Sequence, residues 1–511
     1  MNSPLLQLLQ AAASGSMETI IAAVNNFFAS QPDMAKLSQT MAELSPYAPK
    51  ASPQQGLPAQ QLAILWEIFA QWLAKTPDIP HLARCLAFCD ASRTRREAYL
   101  AYARALEGKY IPVPPLVRAP RAPGERPLRV SFITDYVSPR VTRHMACAKQ
   151  GGMVVQGIFK EAPVPYTTLA PSLYDELSFY RDCSHDLNAI IEKVVAFDAD
   201  IVHLPTHMHV NETTLALTCA LPFPVVGDAY DLINVIFNPE IIIRHGFKPQ
   251  LAAEKAWFRN VDGLCMRSKI LKYANKNGML RPKTTALFFP EVCVETSIQA
   301  SKLSDYDGKT HCLVTGTMDY MFGECLLQMA TVMDGANIMV HIVPTYYEKE
   351  KNNPAVEQLK DKLAKFDCFQ LHHTMPHRHF LRFLAKIDVL LDAIFIELPV
   401  YHTAKTGETT ATILHGMGNR ICDALEQDVA IMVSPQYKDR AQFAATANRA
   451  IFARREDLMS REFWTGLLTT VRRIRQVPRN LTPFAAPRQS GRLERFYRAV
   501  MRRALARRGV L

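Results

Sequence analysis

The stretch GNRICDALEQDVAIMVSP at residues 418–435 decides the fold, because it joins a helix to a buried strand. A helix is predicted near Ile421–Glu426, and the apolar run Ala430–Val433 has the length and composition of a strand. From His311 onward, short apolar runs alternate with helical stretches up to residues 418–435. The other predicted strands of this series are His311–Gly316, Ile338–Val343, Phe369–His372 and Val389–Leu391, with helices near Glu324–Met333, Val356–Phe366 and His379–Ala385.

An earlier series of the same kind precedes this one. Short strands rich in valine, isoleucine and leucine that alternate with helices are typical of parallel sheets covered on both faces. Two such series in tandem predict an α/β fold with two Rossmann-like domains that face each other across a cleft. Such sheets bind ligands at the carboxyl ends of their strands, so functional residues are expected in the turns that follow strands. The first series has predicted strands at Leu128–Thr134, Met153–Phe159, Ile201–Leu204 and Val225–Val226, and a helix at Leu187–Phe197.

Changes in composition divide the chain into five segments. Residues 1–110 have apolar residues at helical spacing with prolines between them, which predicts a helical N-terminal domain. Residues 111–127 contain six prolines and are expected to form a stiff linker. Residues 128–300 and 305–485 are the two predicted Rossmann-like domains, and residues 486–511 form a basic amphipathic helix.

The net charge of +11 is concentrated in the tail of the chain. Residues 470–511 contain twelve arginines and a single acidic residue, Glu494, so they account for the whole net charge. A neutral body with a basic tail argues against a broad nucleic-acid-binding face, and no nucleic-acid partner is predicted. In Gly491–Arg508, apolar residues form one helical stripe and arginines fill the other face. This helix is expected to pack on the body, to attract an anionic membrane surface, or to do both.

The compartment is also constrained by the sequence. No apolar run reaches the roughly 20 residues that cross a bilayer, and the N-terminal stretch lacks the basic start of a signal peptide. The eleven cysteines are scattered and include no CxxC pair, which favours reduced thiols over disulfides or a cysteine zinc site. We therefore predict a cytoplasmic protein. Because of its basic tail, peripheral attachment to the inner face of a membrane is a second possibility.

Over roughly Leu128–Arg455, the order of segments resembles that of GT-B glycosyltransferases, in particular the family 4-like retaining enzymes. The most specific match is residues 418–435, where the family opens a helix with a basic and an acidic residue three positions apart, here Arg420 and Asp423. The resemblance implies transfer of a sugar from a nucleotide-sugar donor to a glycan, lipid-linked or protein acceptor. It places the acceptor on the first domain and the donor on the second, and it implies retention of configuration without a metal or other cofactor. The other matching segments are FDADIVHLPTHMH (197–209), FPVVGDAYD (223–231), AEKAWFRNVDGLCMRSKILKYANKNG (253–278), CLVTGTMDYMFGECLLQMA (312–330) and HHTMPHRHFLRFLAKIDVLLD (372–392).

A nucleotide-sugar donor presents a diphosphate and a ribose diol. The diphosphate needs backbone N–H groups at a helix start, a cation, or both. The turn at Gly316 and Thr317 is expected to supply the N–H groups, and the guanidinium fork of Arg420 the cation. Asp423, one helical turn later, is expected to accept hydrogen bonds from the ribose hydroxyls. The alternative explanation of Arg420 and Asp423 is a surface ion pair at i,i+3 spacing.

The donor motif departs from the family pattern at several positions. The family carries an arginine and a lysine where this chain has Thr317 and Phe322. Lys405 is a candidate to replace the missing positive charge. The first glutamate of the family's paired-glutamate motif would fall at His415, and Glu408 is a candidate for part of its role, or else a solvated loop carboxylate.

Candidate catalytic groups lie on the other predicted domain. Asp228 and Asp231 follow a predicted buried strand, as a general base or a group that orients the acceptor should. Aspartates after strands are also common as helix caps and turn residues. His144 follows the first strand and is a third candidate, with a purely structural histidine as the alternative.

Two groups of histidines raise the question of a metal site. Zinc sites need histidines whose side chains converge, usually with another ligand nearby. In the first group one histidine lies on the predicted strand and two in the turn beyond, while Pro376 interrupts the second group, and no HExxH motif is present. No metal site is therefore predicted. The groups are His203, His207 and His209, and His372, His373, His377 and His379.

Two other functions remain open at this stage. The missing cations at Thr317 and Phe322 fit a GT-B-shaped protein that has lost catalysis and serves as a binding or scaffolding partner. A different two-Rossmann enzyme, such as a sugar-nucleotide epimerase, is the third hypothesis. The absence of a GxGxxG fingerprint disfavours its NAD-dependent variants.

Overall fold

The computed structural model describes most of residues 126–507. The gaps within that range are residue 136, residues 161–170, 181–182, most of 207–222, most of 230–259, 267–283, 290, 295–296, 317–319, 345–353 and 393–418, and before it only Ala22 is described. The predicted helical N-terminal domain and the proline-rich linker thus lie almost wholly outside the described residues. The domain boundaries stay predictions.

The first half of the described chain forms a seven-stranded sheet in which every neighbouring pair of strands is parallel. The strand order is β3-β2-β1-β4-β5-β6-β7. The strands are β1 (Arg129–Thr134), β2 (Val154–Lys160), β3 (Glu176–Tyr180), β4 (Ile201–Thr206), β5 (Val225–Ala229), β6 (Gly263–Met266) and β7 (Thr285–Phe288), with helices α1 (Pro139–Gln150) and α2 (Cys183–Ala196).

The second half forms a six-stranded parallel sheet with the order β10-β9-β8-β11-β12-β13. Its strands are β8 (Thr310–Gly316), β9 (Ile338–Pro344), β10 (Phe369–Leu371), β11 (Val389–Leu391), β12 (Ala430–Val433) and β13 (Ala450–Phe452). The helices are α3 (Ser304–Asp307), α4 (Tyr320–Met333), α5 (Pro354–Leu363), α6 (His377–Leu384), α7 (Asn419–Glu426), α8 (Lys438–Thr446), α9 (Arg455–Leu458), α10 (Arg461–Thr465), α11 (Leu467–Gln476) and α12 (Ala486–Arg507).

These two sheets confirm the predicted α/β architecture with two Rossmann-like halves. The sequence prediction missed β3, β7 and β13, and the three misses have the same cause, while β6 lies within the matching segment 253–278. Each of the three lies at the edge of its sheet, and most of their described side chains are partly buried or exposed. An edge strand that is open to solvent does not need the continuous apolar run that marks a strand covered on both faces.

Both sheets reverse their strand order at one place. In the first sheet the chain turns back between β1 and β4, and in the second between β8 and β11. Open parallel sheets bind ligands in the crevice beyond the carboxyl ends of the strands at such a switch point. The two switch points therefore indicate where ligands are most expected.

The C-terminal helix α12 belongs to the core of the first half, although it follows the second half in sequence. It contacts α1 and β7, and Leu493, Tyr497 and Val500 are fully buried in the first hydrophobic core. Gly263 at the start of β6 allows this approach, because a Cβ atom there would lie 2.3 Å from Val500. The prediction that the apolar stripe packs on the body is confirmed.

Two other observations concern the helices and the cysteines of the described residues. None of the helices among the described residues is both long and apolar enough to cross a bilayer. The cysteines at six described positions are buried free thiols, which agrees with the predicted reduced state. They are Cys147, Cys265, Cys293, Cys312, Cys368 and Cys422.

Candidate functional site at the switch point of the second sheet

Arg420 spans the switch point of the second sheet. It lies in the first turn of α7, and its guanidinium donates a hydrogen bond to the carbonyl oxygen of Thr315 near the end of β8. Its Nε atom lies 3.5 Å from Oδ1 of Asp392, which directly follows β11. Because β8 and β11 flank the reversal in strand order, this side chain sits where a ligand is expected. The Arg420 side chain is 31% exposed, so a ligand can reach it.

A second arginine approaches the same carboxylate from α8. Nη1 of Arg440 donates to Oδ2 of Asp392 at 3.0 Å, and the Asp392 side chain is fully buried. Two guanidinium groups around one carboxylate leave a formal charge of +1 at the carboxyl edge of the sheet. An anion that arrives there would find fixed, partly desolvated positive charge, which strengthens its binding. Sequence analysis missed Asp392 and Arg440, although Asp392 is the first residue after an apolar strand.

The remaining predicted donor contacts are only partly visible. Gly316 is the last residue of β8, so this strand ends next to the switch point. Thr317, Lys405 and Glu408 lie outside the described residues, and so does the predicted catalytic residue Asp231. Their assignments stay predictions.

Asp423 takes part in an ion pair that connects the two halves of the chain. Its Oδ1 atom accepts a hydrogen bond of 2.5 Å from Nη2 of Arg143, which lies on α1 in the first half. The guanidinium of Arg143 also binds both oxygens of Glu426, at 2.7 and 3.1 Å. All three side chains are almost completely buried. One arginine of the first half therefore pairs with two carboxylates on α7.

The segment that links the two sheets is held at the same place. Nη1 of Arg143 donates to the carbonyl oxygen of Val292, and Oε1 of Glu426 accepts from the backbone N–H of Val294 at 2.6 Å. His377 of α6 lies nearby, with Nε2 3.6 Å from Oδ1 of Asp423. Burial opposes protonation of His377, but the carboxylate of Asp423 raises its pKa above the ordinary value. This arrangement gives Asp423 a role at the junction of the domains that the sequence did not predict.

Asp228 and His144, two of the predicted catalytic residues, lie in the core of the first half. Both are 0% exposed. Asp228 on β5 accepts hydrogen bonds from the guanidinium of Arg140 at 2.9–3.2 Å. Burial opposes ionisation of Asp228, but the charge of Arg140 holds its pKa far below the ordinary value. Burial lowers the pKa of His144, and the charge of Arg140 lowers it further.

The same cluster continues through Glu291, His203 and Tyr497. Nη1 of Arg140 donates to Oε1 of Glu291 at 3.0 Å, and Nδ1 of His203 lies 2.6 Å from the hydroxyl of Tyr497 on α12. Every one of these side chains is enclosed. A direct contact of Asp228 or His144 with a substrate would require this packing to open. Their catalytic assignment stays a prediction, and the observed geometry supports a structural role.

A row of three histidines crosses the second sheet. Nδ1 of His311 on β8 lies 2.8 Å from Nε2 of His341 on β9, and Nδ1 of His341 lies 2.9 Å from Nε2 of His372 after β10. Asp307 accepts from His311 at the other end, at 3.1 Å. Burial lowers the pKa of His341 to about 3, and the neighbouring imidazoles of His311 and His372 contribute to the shift. His341 is therefore neutral in the folded chain at neutral pH.

We expect this row to make the fold sensitive to acid. In the unfolded chain His341 titrates near its ordinary pKa of about 6.5, whereas the folded chain resists protonation of His341 down to pH 3. Stability is therefore lost as pH falls through this window, by about 2 kcal/mol at about pH 5. Urea unfolding at about pH 7.5 and pH 5 should show a smaller loss for His341→Gln than for the wild type. His379→Gln, at an exposed position of α6, is the control for the substitution, and an equal acid loss in all three proteins would contradict the expectation.

The shape of the chain is similar to that of several solved structures, at low sequence identity. A glycosyltransferase from Rickettsia africae is 11% identical with a TM-score of 0.48, over 73% of this chain and 99% of that one. Anabaena HepE, in complex with UDP and glucose, is 12% identical with a TM-score of 0.45, over 75% and 100%. The UDP-GlcNAc 2-epimerase of Neisseria meningitidis, bound to UDP-GlcNAc, is 11% identical with a TM-score of 0.43, over 73% and 99%. No protein-family model and no curated protein matches the sequence, so function has to be argued from the residues described above.

Proposed function

We propose that this chain is an enzyme that acts on a nucleotide sugar and transfers the sugar to a glycan, a lipid-linked glycan or a protein. The observation that carries the proposal is the position of Arg420, which spans the switch point between β8 and β11. A partly exposed guanidinium at the carboxyl edge of a parallel sheet suits a diphosphate, because its planar fork matches phosphate oxygens.

The chemistry of transfer fits this placement. As the bond from the sugar to the diphosphate breaks, positive charge develops on the sugar and negative charge on the leaving group. Arg420 and the N–H groups that follow Gly316 would stabilise the leaving diphosphate. The acceptor would bind on the first domain, across a cleft, and the reaction would proceed with retention and without a metal at the reacting atoms.

A protein of the same fold that binds a nucleotide without turning it over is the second candidate. The observation in its favour is that Arg420 already has a carboxylate partner in Asp392, which competes with a phosphate for the guanidinium. The positions where the resembling family has two further cations hold Thr317 and Phe322. A binding or scaffolding role would need residues that bind the nucleotide, but it would not need residues that stabilise a leaving group.

Thermal unfolding with a panel of UDP-, GDP- and ADP-sugars tests the proposal. A ligand at 100 times its Kd stabilises the folded state by about 2.7 kcal/mol, so one member of the panel should raise Tm clearly. Arg420→Met removes a charge-assisted contact worth about 1.5–3 kcal/mol and should weaken binding of that ligand by roughly 10- to 100-fold in calorimetry. Arg472→Met, at an exposed position of α11 in the same half of the chain, should bind like the wild type.

Release of the nucleotide product separates the two candidates. Hydrolysis or transfer of the sugar supports the enzyme, whereas binding without turnover supports the scaffold. If no nucleotide sugar stabilises the wild type, or if Arg420→Met binds as tightly as Arg472→Met, the donor site is not where we propose it.

The position of α12 supports a proposal about location. Its apolar side is used against the first half of the chain, and Arg488, Arg495 and Arg502 recur every seven residues at exposed positions. We propose that these arginines face the anionic inner surface of a membrane. Each arginine near such a surface contributes about 1 kcal/mol, so Arg495→Ala with Arg502→Ala should weaken binding to anionic vesicles about 30-fold. Co-sedimentation measures this effect, and equal binding to neutral and anionic vesicles would contradict it.

A further inference from the structure

Three side chains in the core of the first half lie close enough together to bind one metal ion. His144, His203 and Asp228 each offer a ligand atom, and these atoms lie within 4.8 Å of one another. Nδ1 of His144 is 3.3 Å and Nε2 of His203 is 3.5 Å from Oδ2 of Asp228. A tetrahedral zinc ion with bonds of about 2.0–2.1 Å separates its ligand atoms by roughly 3.4 Å. Both measured separations from Asp228 match that spacing.

The ring nitrogens of the two histidines carry the second observation. Both ring nitrogens of His144 and Nε2 of His203 are buried without a hydrogen-bond partner. Buried polar atoms are normally paired, and an unpaired one costs about 1–3 kcal/mol. A cation between the three side chains would bind one nitrogen from each histidine, which removes two of these unpaired atoms.

The surroundings hold the ligands in the orientation that a metal requires. The hydroxyl of Tyr497 lies 2.6 Å from Nδ1 of His203, which directs Nε2 of that ring toward Asp228. The guanidinium of Arg140 donates to both oxygens of Asp228, including Oδ2, which faces the two histidines. Histidine and carboxylate ligands in metal sites are characteristically fixed by such outer hydrogen bonds.

The charges in the cluster also favour a cation. Asp228 and Glu291 supply two carboxyl groups, and Arg140 supplies one guanidinium. With neutral imidazoles, the formal charge of this buried group is −1.

We propose that His144, His203 and Asp228 bind one zinc ion that ties α1 to β4 and β5. Two histidines and a carboxylate can also hold iron, but iron sites of that kind keep open positions for substrate and oxygen. Here all three side chains are 0% exposed, so substrate and oxygen have no access to the ion, and the zinc proposed here is structural, with an enclosed water molecule as its fourth ligand. The sugar transfer proposed above uses no metal, so the zinc site does not depend on it.

Sequence spacing alone did not predict this site. The prediction of no metal considered His203 together with His207 and His209, its neighbours in the chain. The structure instead brings His203 next to one residue 59 positions earlier and another 25 positions later, on α1 and β5. Convergence over such separations follows from the strand order and cannot be read from a local motif.

Elemental analysis of the full chain tests the proposal. The protein is produced without a polyhistidine tag, supplied with Zn²⁺ and dialysed against a weak chelator. We expect about one zinc per chain for the wild type, as one closed site requires. His203→Gln and Asp228→Asn should lose most of this zinc. His341→Gln, which alters a buried histidine cluster in the other half of the chain, should retain it.

A second measurement covers variants that fail to fold. Co²⁺ bound to the wild type should give the visible absorption of a four-coordinate site with nitrogen and oxygen ligands and no thiolate band. Three outcomes overturn the proposal. They are a wild type that holds no zinc after dialysis, zinc that persists in folded His203→Gln and Asp228→Asn, and a thiolate band in the cobalt spectrum.

Discussion

Replacing Arg143 with methionine is expected to destabilise the folded chain by about 3–5 kcal/mol. The guanidinium pairs with both Asp423 and Glu426 inside the contact between the two halves, where all three side chains are nearly inaccessible to water. Without it, two carboxylates would remain in a buried place after losing the guanidinium that binds both of them. Urea unfolding at neutral pH measures the loss.

The rescue variant distinguishes loss of charge from loss of packing. Arg143→Met combined with Asp423→Asn and Glu426→Gln removes all three charges, so it should recover a large part of the lost stability. Arg126→Met is the matched control, because Arg126 also pairs with two aspartates, Asp198 and Asp200, but at a partly exposed position. It should cost about 1 kcal/mol or less. A similar cost for Arg126→Met and Arg143→Met would show that burial of the interdomain ion pair does not matter.

Arg140→Met is the second substitution with a large expected effect, again about 3–5 kcal/mol. Its guanidinium is enclosed between Asp228 and Glu291, whose side chains are 0% exposed. Because this cluster lies in the core around the first sheet, which α12 completes, the loss should be confined to that core. Hydrogen exchange should therefore show faster exchange in β4, β5 and α1 than in the second sheet.

A comparison of hydrogen exchange in Arg143→Met and Arg140→Met tests whether each loss of stability is local. Arg143→Met should increase exchange at the contact between the halves, including the segment around Val292, while Arg140→Met should spare α7. Asp228→Asn with Glu291→Gln in the Arg140→Met background should recover part of the stability. Uniformly faster exchange across both sheets for Arg140→Met would mean that the two halves unfold as one unit.

The fold could largely be predicted from the sequence because its central strands are covered on both faces. Ala430–Val433 and Val389–Leu391 were predicted to the residue, since each is an apolar run bounded by polar residues. Glu176–Tyr180 was missed because this edge strand is mostly exposed or partly buried and has no such run. The apolar pattern of a segment reflects how completely that segment is buried. It therefore gives little signal for a strand that is only partly buried.

The candidate site was predicted less completely, for a different physical reason. Arg420 was predicted because residues 418–435 resemble the family's donor motif, which is local in sequence, and it does lie at the switch point. Its neighbour Asp392 follows a strand and was within reach of the same reasoning. The ion pair between Arg143 and Asp423 joins residues 280 positions apart, and no local pattern indicates which surfaces of two domains will meet.

The place of α12 determines the order in which this protein can mature. Leu493, Tyr497 and Val500 complete the core beneath β1 and β5, yet the ribosome makes them after the whole second sheet. During synthesis, the first half therefore has an apolar face that α12 does not yet cover. The second half can fold before that face is buried. Domains generally fold in the order of their synthesis, whereas here the first domain needs a helix that emerges after the second sheet.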